Sequence, residues 1–348
     1  MKIAILGAGA IGGYVGATLA KAGSDVHLIA RGPTLAAMQA RGIEVLSKDG
    51  SFCAHPQVTG DPHEIGAVDI VFMSVKAYSY PSAAKVIAPL LSEHTAVVTA
   101  QNGIPWWYFA GMSGPLAGHQ ISALDPDGAV SRAIAPHRVL GCVTYCSTET
   151  VAPGVIRHIE DTRFSIGEPD GSMSPRCTAF GHEMESAGLT CTVETDIRLA
   201  IWRKLMGNIA FNPLSALTGA TMAEIARNPL TRNLVSAMMT EAVTIARAAG
   251  VVLDVSIEQR IAGAAKIGQH KTSMLMDLEA RRQLESDAIM AAPIEIAAQL
   301  GVEVPNLSAV HAAVSLLAET RRAAGGTVTR APRREQVRPS AGRSGDAR

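Results

Sequence analysis

Short, nearly unbroken apolar runs punctuate the first half of the chain, each ending at a glycine, an amide or a charge. Lys2-Ile3-Ala4-Ile5-Leu6 meets Gly7, Asp25 to Ile29 is followed by Ala30-Arg31, Val68 to Val75 stops at Lys76, and Ala96 to Ala100 stops at Gln101-Asn102-Gly103. Runs of this length bounded by turn formers predict strands buried on both faces, as a parallel sheet requires. Between the first two, small apolar residues from Ala10 to about Ala22 predict a helix closed by Gly23. A further helical pattern lies near Pro81 to Leu91.

From Val139 the pattern turns antiparallel: a strand from Val139 to Ser147, then Gly154 to Ile159, then Arg163 to Gly167, together expected to finish the same sheet. Pro169 to Ser174 reads as the start of a turn-rich linker, and after Val193 the chain becomes alanine-rich and helical. Five or six helices are expected there, with breaks near Gly219, Gly250, Gly268 and the Gly301-to-Pro305 stretch. The predicted class is α/β: a Rossmann-like, doubly wound sheet over residues 1–185, a mostly helical substrate domain over 186–320, and a disordered basic tail over 321–348.

Composition narrows the class. The 348 residues are 47% hydrophobic and 18% charged, enough for two sizeable cores. No apolar run reaches the roughly 18 to 20 residues of a membrane span. A start that goes directly into a strand points to a cytoplasmic protein. The five cysteines form neither a CxxC pair nor a zinc pattern, and the ten histidines show no metal spacing, so reduced thiols and no metal are expected. The formal net charge of zero hides an asymmetry: from Arg321 on, eight arginines face only Glu335 and Asp346, a net +6. No aromatic residue interleaves those arginines, which argues for a solvated extension over a nucleic-acid arm.

The first turn carries the clearest chemistry. In Gly7-Ala8-Gly9-Ala10-Ile11-Gly12, Gly7 permits the turn, Gly9 admits a pyrophosphate to the backbone, and Gly12 lets helix and strand pack closely. The phosphates would sit on the helix N-terminus, where free amides and the macrodipole favour negative charge. The second strand ends without the carboxylate that holds the ribose 2′-hydroxyl of NAD. Arg31 stands there instead, its fork suited to a 2′-phosphate, so the expected cofactor is NADP(H).

Three other constellations are candidates. Lys76 and Asn102-Gly103 follow predicted strands, at the edge where open sheets bind ligands. Lys76 can meet a phosphate or carboxylate or be solvated, and Asn102 can order a polar group while Gly103 keeps the backbone open beside a ring. Lys204, Asn208 and Asn212 recur at four-residue steps in an apolar helix. At about 100° per residue they span roughly 80°, one polar stripe. That stripe is either a structural seam or a site in which a partly desolvated Lys204 protonates a developing alkoxide. Ser273 can hydrogen-bond a carboxylate and Glu285 can accept a hydroxyl or tune Lys204, or both serve as ordinary helix-start residues.

Taken together, these stretches resemble the ketopantoate reductase (2-dehydropantoate 2-reductase) family over residues 1 to about 318. The resemblance rests on Gly7 to Gly12, Arg31, Val75-Lys76-Ala77, Asn102-Gly103, Trp202-Arg203-Lys204-Leu205 with Asn208 and Asn212-Pro213-Leu214, and Ser273-Met274-Leu275 with Asp277 and Glu285. It implies NADPH-dependent reduction of 2-dehydropantoate to pantoate, a step of pantothenate biosynthesis. It further implies that Gly7, Gly9 and Gly12 hold the pyrophosphate and Arg31 the 2′-phosphate, with Lys76 and Asn102 near the ribose and nicotinamide. Lys204 is then the general acid, Asn208 and Asn212 orient substrate, Ser273 contacts its carboxylate, and Glu285 binds its hydroxyl or helps proton flow.

The chain departs from the family at His270, where an asparagine is usual, at Met290-Ala291, where Asn-Gly is usual, and in an insertion between Gly103 and Gly141. That insertion carries Trp106-Trp107, expected in an exposed loop or else lining a lid or a partner surface, and Asp125-Pro126-Asp127-Gly128. The expected partner is a small 2-oxo acid, with no nucleic acid and no membrane, and a homodimer is compatible. Alternatives are a reductase of another branched or aromatic 2-oxo acid, a β-hydroxyacid or opine-type dehydrogenase, and a non-catalytic NADP(H) sensor.

Overall fold

The computed structural model describes residues 1–114, 116–268 and 270–325. In chain order the first half contains β1 (Lys2–Leu6), α1 (Ala10–Lys21), β2 (Asp25–Ile29), α2 (Gly32–Arg41), β3 (Ile43–Leu46), β4 (Phe52–Ala54), β5 (Gln57–Thr59), β6 (Ile70–Met73), α3 (Tyr80–Ala84) and β7 (Ala96–Ala100). Then come α4 (Ala129–Ala133), β8 (Val139–Thr144), β9 (Ser147–Ala152), β10 (Val155–Glu160), β11 (Arg163–Gly167), α5 (Pro175–Ser186) and β12 (Thr190–Val193).

Eight strands form one sheet in the order β12-β11-β8-β7-β6-β1-β2-β5. β1 pairs parallel with β2 (Lys2↔Asp25) and with β6 (Ile3↔Ile70), and among the described residues the only antiparallel neighbours in that sheet are β8 and β11. The chain therefore winds outward in both directions from β1. The gap between β1 and β6 is the switch point beyond whose carboxyl ends open sheets bind ligands.

Several sequence expectations are corrected here. The strand expected from Val139 to Ser147 ends at Thr144, and β9 and β10 join β3 and β4 in a separate four-stranded sheet. This sheet packs over α1, and its β3 alternates buried and exposed positions as a one-faced sheet should. The helix expected to Leu91 stops at Ala84, and Ala88–Leu90 forms a separate 3₁₀ turn. Pro89 has no amide with which to extend the helix. Residues 169–174 do not lead into the helical half, since α5 and β12 return to the sheet, where β12 pairs with β11. The sheet region thus runs to Val193, past the boundary expected at 185.

Trp106 and Trp107 are not in an exposed loop: they are 5% and 2% exposed. Trp107 Nε1 donates to Thr99 Oγ1 at 2.8 Å, and the absent side chain of Gly141 makes room for its ring, 2.7 Å from where a Cβ would stand. Residues 104–110 instead tie the sheet to the long helix that begins at Ile197. Tyr108 accepts from Trp202 Nε1 through its hydroxyl at 2.7 Å and from Arg198 Nε through its carbonyl at 2.8 Å.

The helical half comprises α6 (Ile197–Thr218), α7 (Met222–Arg227), α8 (Pro229–Ala248), α9 (Ile257–Lys266), α10 (Ser273–Glu279), α11 (Ala292–Gln299) and α12 (Pro305–Gly325), with a π-turn at Asp287–Ala291. This is one or two more helices than expected, because the 270–300 stretch is divided. α6 starts on Asp196, whose carboxylate accepts from Leu199 N, and carries Pro213 inside it. Its Trp202, Leu205 and Ile209 share one core with Leu6, Val71, Met73 and Val97 of the sheet. One continuous apolar interface therefore fixes α6 against the strand ends. Residues 321–325, expected in the tail, continue α12, and the rest of the expected tail lies outside the described residues. Among the described residues no helix is long and apolar enough to cross a membrane.

Candidate active site

The glycine turn after β1 is built as a cradle. Gly7 has φ +110°, a left-handed value, and Ser74 Oγ donates to its carbonyl at 2.8 Å. A Cβ on Gly12 would lie 2.1 Å from Gly7 O and 2.2 Å from Ser74 Oγ, so no larger residue fits. A Cβ on Gly9, by contrast, would meet nothing within 4 Å. Ala8, Ala10 and Ile11 are half-buried around that opening. α1 has no side-chain cap and no acidic residue in its first turn, so its leading amides are available to an anion. These features fit a dinucleotide pyrophosphate. Arg31, exposed at the end of β2, lies one strand over from the turn.

A charged network closes the neighbouring strand ends onto the helical half. Lys76, just after β6, donates from Nζ to Asp277 Oδ2 at 3.0 Å and to Glu285 Oε2 at 2.8 Å. Glu285, 5% exposed, also accepts from Asn102 Nδ2 at 3.2 Å and from Ala77 N at 3.3 Å. Asn102 Oδ1 in turn accepts from Lys204 Nζ at 2.7 Å, and Lys204 donates as well to the Thr144 carbonyl at the end of β8. Arg282 Nε holds the other oxygen of Asp277 at 2.7 Å.

The two lysines have opposed electrostatics. Burial alone would lower Lys76, but Glu285 and Asp277 outweigh it and hold its pKa above the ordinary lysine value. Among the described residues Lys204 has no carboxylate in contact. Burial pulls its pKa down to about 8, Cys146 and Glu285 raise it only in part, and Lys76 pushes it further down. One lysine is thus a fixed cation and the other is poised to release a proton near neutral pH.

Asn208 is half-buried and Asn212 is 5% exposed, and among the described residues neither side chain makes a protein hydrogen bond. Their amides are free to meet a ligand. Ser273 does not join the network: it is the exposed first residue of α10, after Thr272, whose hydroxyl caps Leu275 N at 3.2 Å. Gly103 is also corrected. Rather than lying open beside a ring, it packs on the π-turn, where its Cβ would fall 2.2 Å from Ala288 O. Ile104 N donates to that same carbonyl at 2.8 Å. Met290, one of the two residues replacing the usual Asn-Gly, is fully buried in the π-turn.

Ser74, Thr144 and Asp277 are participants that sequence reasoning missed as site residues. Ser74 was detectable as the residue two before Lys76 at a strand end. Thr144 acts through its backbone, which no side-chain pattern discloses.

Comparison with known proteins agrees with this architecture. Residues 3–171 match the family described as Ketopantoate reductase PanE/ApbA, and residues 196–318 match its C-terminal model. A 2-dehydropantoate 2-reductase of Mesorhizobium japonicum is 48% identical over 322 residues, spanning 92% of this chain and 99% of that protein. The crystal structure of 2-dehydropantoate 2-reductase from Geobacter metallireducens superposes with TM-score 0.81 at 28% identity, over 91% of this chain and 100% of that one. D-mandelate dehydrogenase with NADH and anilino(oxo)acetate shares the fold, with TM-score 0.78 at 20% identity over 92% of this chain and 100% of that one.

Proposed function

This chain belongs to the ketopantoate reductase family, and we propose that it reduces 2-dehydropantoate to pantoate with NADPH, Lys204 acting as general acid. The observation that carries the proposal is the setting of Lys204. It is a half-buried amine at the strand ends, held by Asn102 and the Thr144 carbonyl, with its pKa lowered to about 8 by burial. Such an amine is protonated at neutral pH and acidic enough to give its proton to an alkoxide.

The cradle of Gly7, Gly9 and Gly12 with the open end of α1 would hold the pyrophosphate, and Arg31 the 2′-phosphate. When bound there, NADPH supplies the hydride. Lys204 Nζ donates its proton to the ketone oxygen and afterwards regains one from water. Asn102 keeps the ammonium aimed, because its carbonyl oxygen accepts from Lys204 while its amide nitrogen is fixed on Glu285. Asn208 and Asn212, one and two turns along α6, orient the substrate, and Glu285 holds its hydroxyl or supports proton flow. Ser273, exposed at the first turn of α10 and outside the network, would contact the substrate carboxylate.

The test is NADPH oxidation followed by absorbance with 2-dehydropantoate and a panel of branched and aromatic 2-oxo acids. The expected result is highest kcat/KM on 2-dehydropantoate. A higher kcat/KM on another acid would move the substrate assignment, and tight NADPH binding without turnover on any acid would favour the sensor.

A further inference from the structure

The helix that follows Glu285 changes register in its first turn. An α-helix would send the amide of Ala292 to the carbonyl of Ala288, four residues back. Instead Ala292 N donates to Asp287 O, the five-residue step that makes Asp287–Ala291 a π-turn. The next amide along would belong to residue 293, but that residue is Pro293, which has none. Among the described residues, the shift and the proline together leave the Ala288 carbonyl without a donor from its own helix. Ala288 is fully buried, and a buried carbonyl must find a donor elsewhere.

That donor comes from the loop after β7. Ile104 N donates to Ala288 O at 2.8 Å. The bond needs Gly103, whose φ of +80° is left-handed and whose Cβ would lie 2.2 Å from Ala288 O and 2.4 Å from Ala288 C. Gln101 Nε2 closes the same loop from within, donating to Ile104 O at 3.0 Å, and Ile104 itself is fully buried. Asn102 is therefore held on both sides. Its Nδ2 donates at 3.2 Å to Oε2 of Glu285, the residue three before Ala288, and its Oδ1 accepts from Lys204 Nζ at 2.7 Å. Ile289 N donates to the Glu285 carbonyl at 3.3 Å, which ties the glutamate to the π-turn through the backbone.

We infer that Gly103 is a positioning residue for the proposed acid: by seating residues 103 and 104 on the vacant Ala288 carbonyl, it fixes the Asn102 amide between Glu285 and Lys204. The inference rests on the reductase reading above and deepens it, because it identifies what holds the proton donor in line. An asparagine on an unanchored loop would have to order both backbone and side chain to make its two hydrogen bonds. Here the backbone is settled in advance. A group misplaced by about 1 Å can cost about a hundredfold in rate, so the worth of the anchor is read in kcat.

The experiment uses Gly103→Ala, Ala288→Val, Asn102→Ala and the double variant Gly103→Ala/Asn102→Ala, with two readouts. Crystal structures without ligands are the first. In Gly103→Ala the methyl must push the loop off Ala288, so the Ile104–Ala288 and Asn102–Lys204 bonds should both open. Ala288→Val crowds the same contact from the helix, where the Ala288 Cβ lies 2.9 Å from the Cβ position of residue 103, and leaves the glycine's φ untouched. It decides the matter should Gly103→Ala fail to fold. Turnover per NADPH-binding site is the second readout. Gly103→Ala should lower kcat about tenfold to hundredfold, with the loss in kcat more than in KM. The double variant should be no slower than Asn102→Ala alone, because no amide remains to be misplaced, whereas an independent structural defect would multiply the losses. An Asn102–Lys204 bond intact in the folded variants, an unchanged kcat, or losses that multiply would overturn the inference. If wild type prefers a different 2-oxo acid, the substrate assignment fails alone, and the same variants on that acid decide the role of Gly103. If wild type reduces no acid, the reductase reading has failed and takes the positioning role with it, whereas intact geometry in a variant of an active enzyme sinks Gly103 alone.

Discussion

Lys76 and Lys204 face the same Asn102–Glu285 bridge yet titrate in opposite directions. Lys76 touches two carboxylates and is held above the ordinary lysine value, whereas Lys204 touches an amide and a carbonyl and falls to about 8. The difference comes from where the two carboxylates stand. Glu285 contacts Lys76 directly but reaches Lys204 only through Asn102, so its charge fixes the first and merely moderates the second.

A pH dependence follows with a definite sign. With Lys204 as the proposed general acid, its protonated form is the active one, so kcat/KM for ketone reduction should fall above about pH 8, and pantoate oxidation should rise over the same range. Glu285→Gln removes a charge that raises the Lys204 pKa, so the break should move to lower pH. A pH–rate profile of both proteins checks this. A rate flat to pH 9.5, or a break moving upward in the variant, contradicts it.

Lys204→Met should cost about 10² to 10⁴ in kcat, the usual contribution of a positioned acid, with NADPH binding retained. The same variant should be more stable than wild type at neutral pH. With its folded pKa depressed, Lys204 binds its proton less well in the native state than in the unfolded one. Unfolding free energy therefore carries a penalty below about pH 8 that fades as pH rises toward the ordinary lysine value. Calorimetric melting against pH measures it, and a lower Tm for Lys204→Met at pH 7 would show the amine to be a structural tie.

Two glycines in one turn should fail in different ways. Gly12→Ala forces a methyl to 2.1 Å from the Gly7 carbonyl and should lower Tm and NADPH affinity together. Gly9→Ala meets open space and should leave Tm within about 1 °C, as unstrained surface changes do, while weakening NADPH by crowding the pyrophosphate. Thermal melts with and without NADPH separate the two. Full NADPH affinity in Gly9→Ala would remove the pyrophosphate from this turn.

Arg31→Ala should weaken NADPH by tenfold or more, the worth of a charge-assisted contact of about 1.5 to 3 kcal/mol, and leave NADH nearly unchanged. Equal losses for both would detach Arg31 from the 2′-phosphate.

Much of this protein was legible in local pattern. The βαβ opening, the glycine turn and the four-residue recurrence of Lys204, Asn208 and Asn212 each depend on neighbours within one element, where strand and helix periods dictate which residues share a face. The insertion was misjudged because Trp106 and Trp107 look like loop residues until Gly141, some 35 positions on, is seen to make room for a ring. β9 was missed because a strand's change of sheet is decided by its partner, β10, and not by its own residues.

Order along the chain specifies which groups this protein owns: a glycine-rich turn after the first strand, an arginine where a carboxylate would otherwise stand, a lysine on an apolar helix. Tertiary structure alone decided their charge states and company. It set Glu285 against Lys76 and away from Lys204, and drew Asp277 into the cluster while leaving Ser273 outside. Periodicity is a property of adjacent residues, but a pKa or an ion pair depends on burial and on charges brought together from distant parts of the chain.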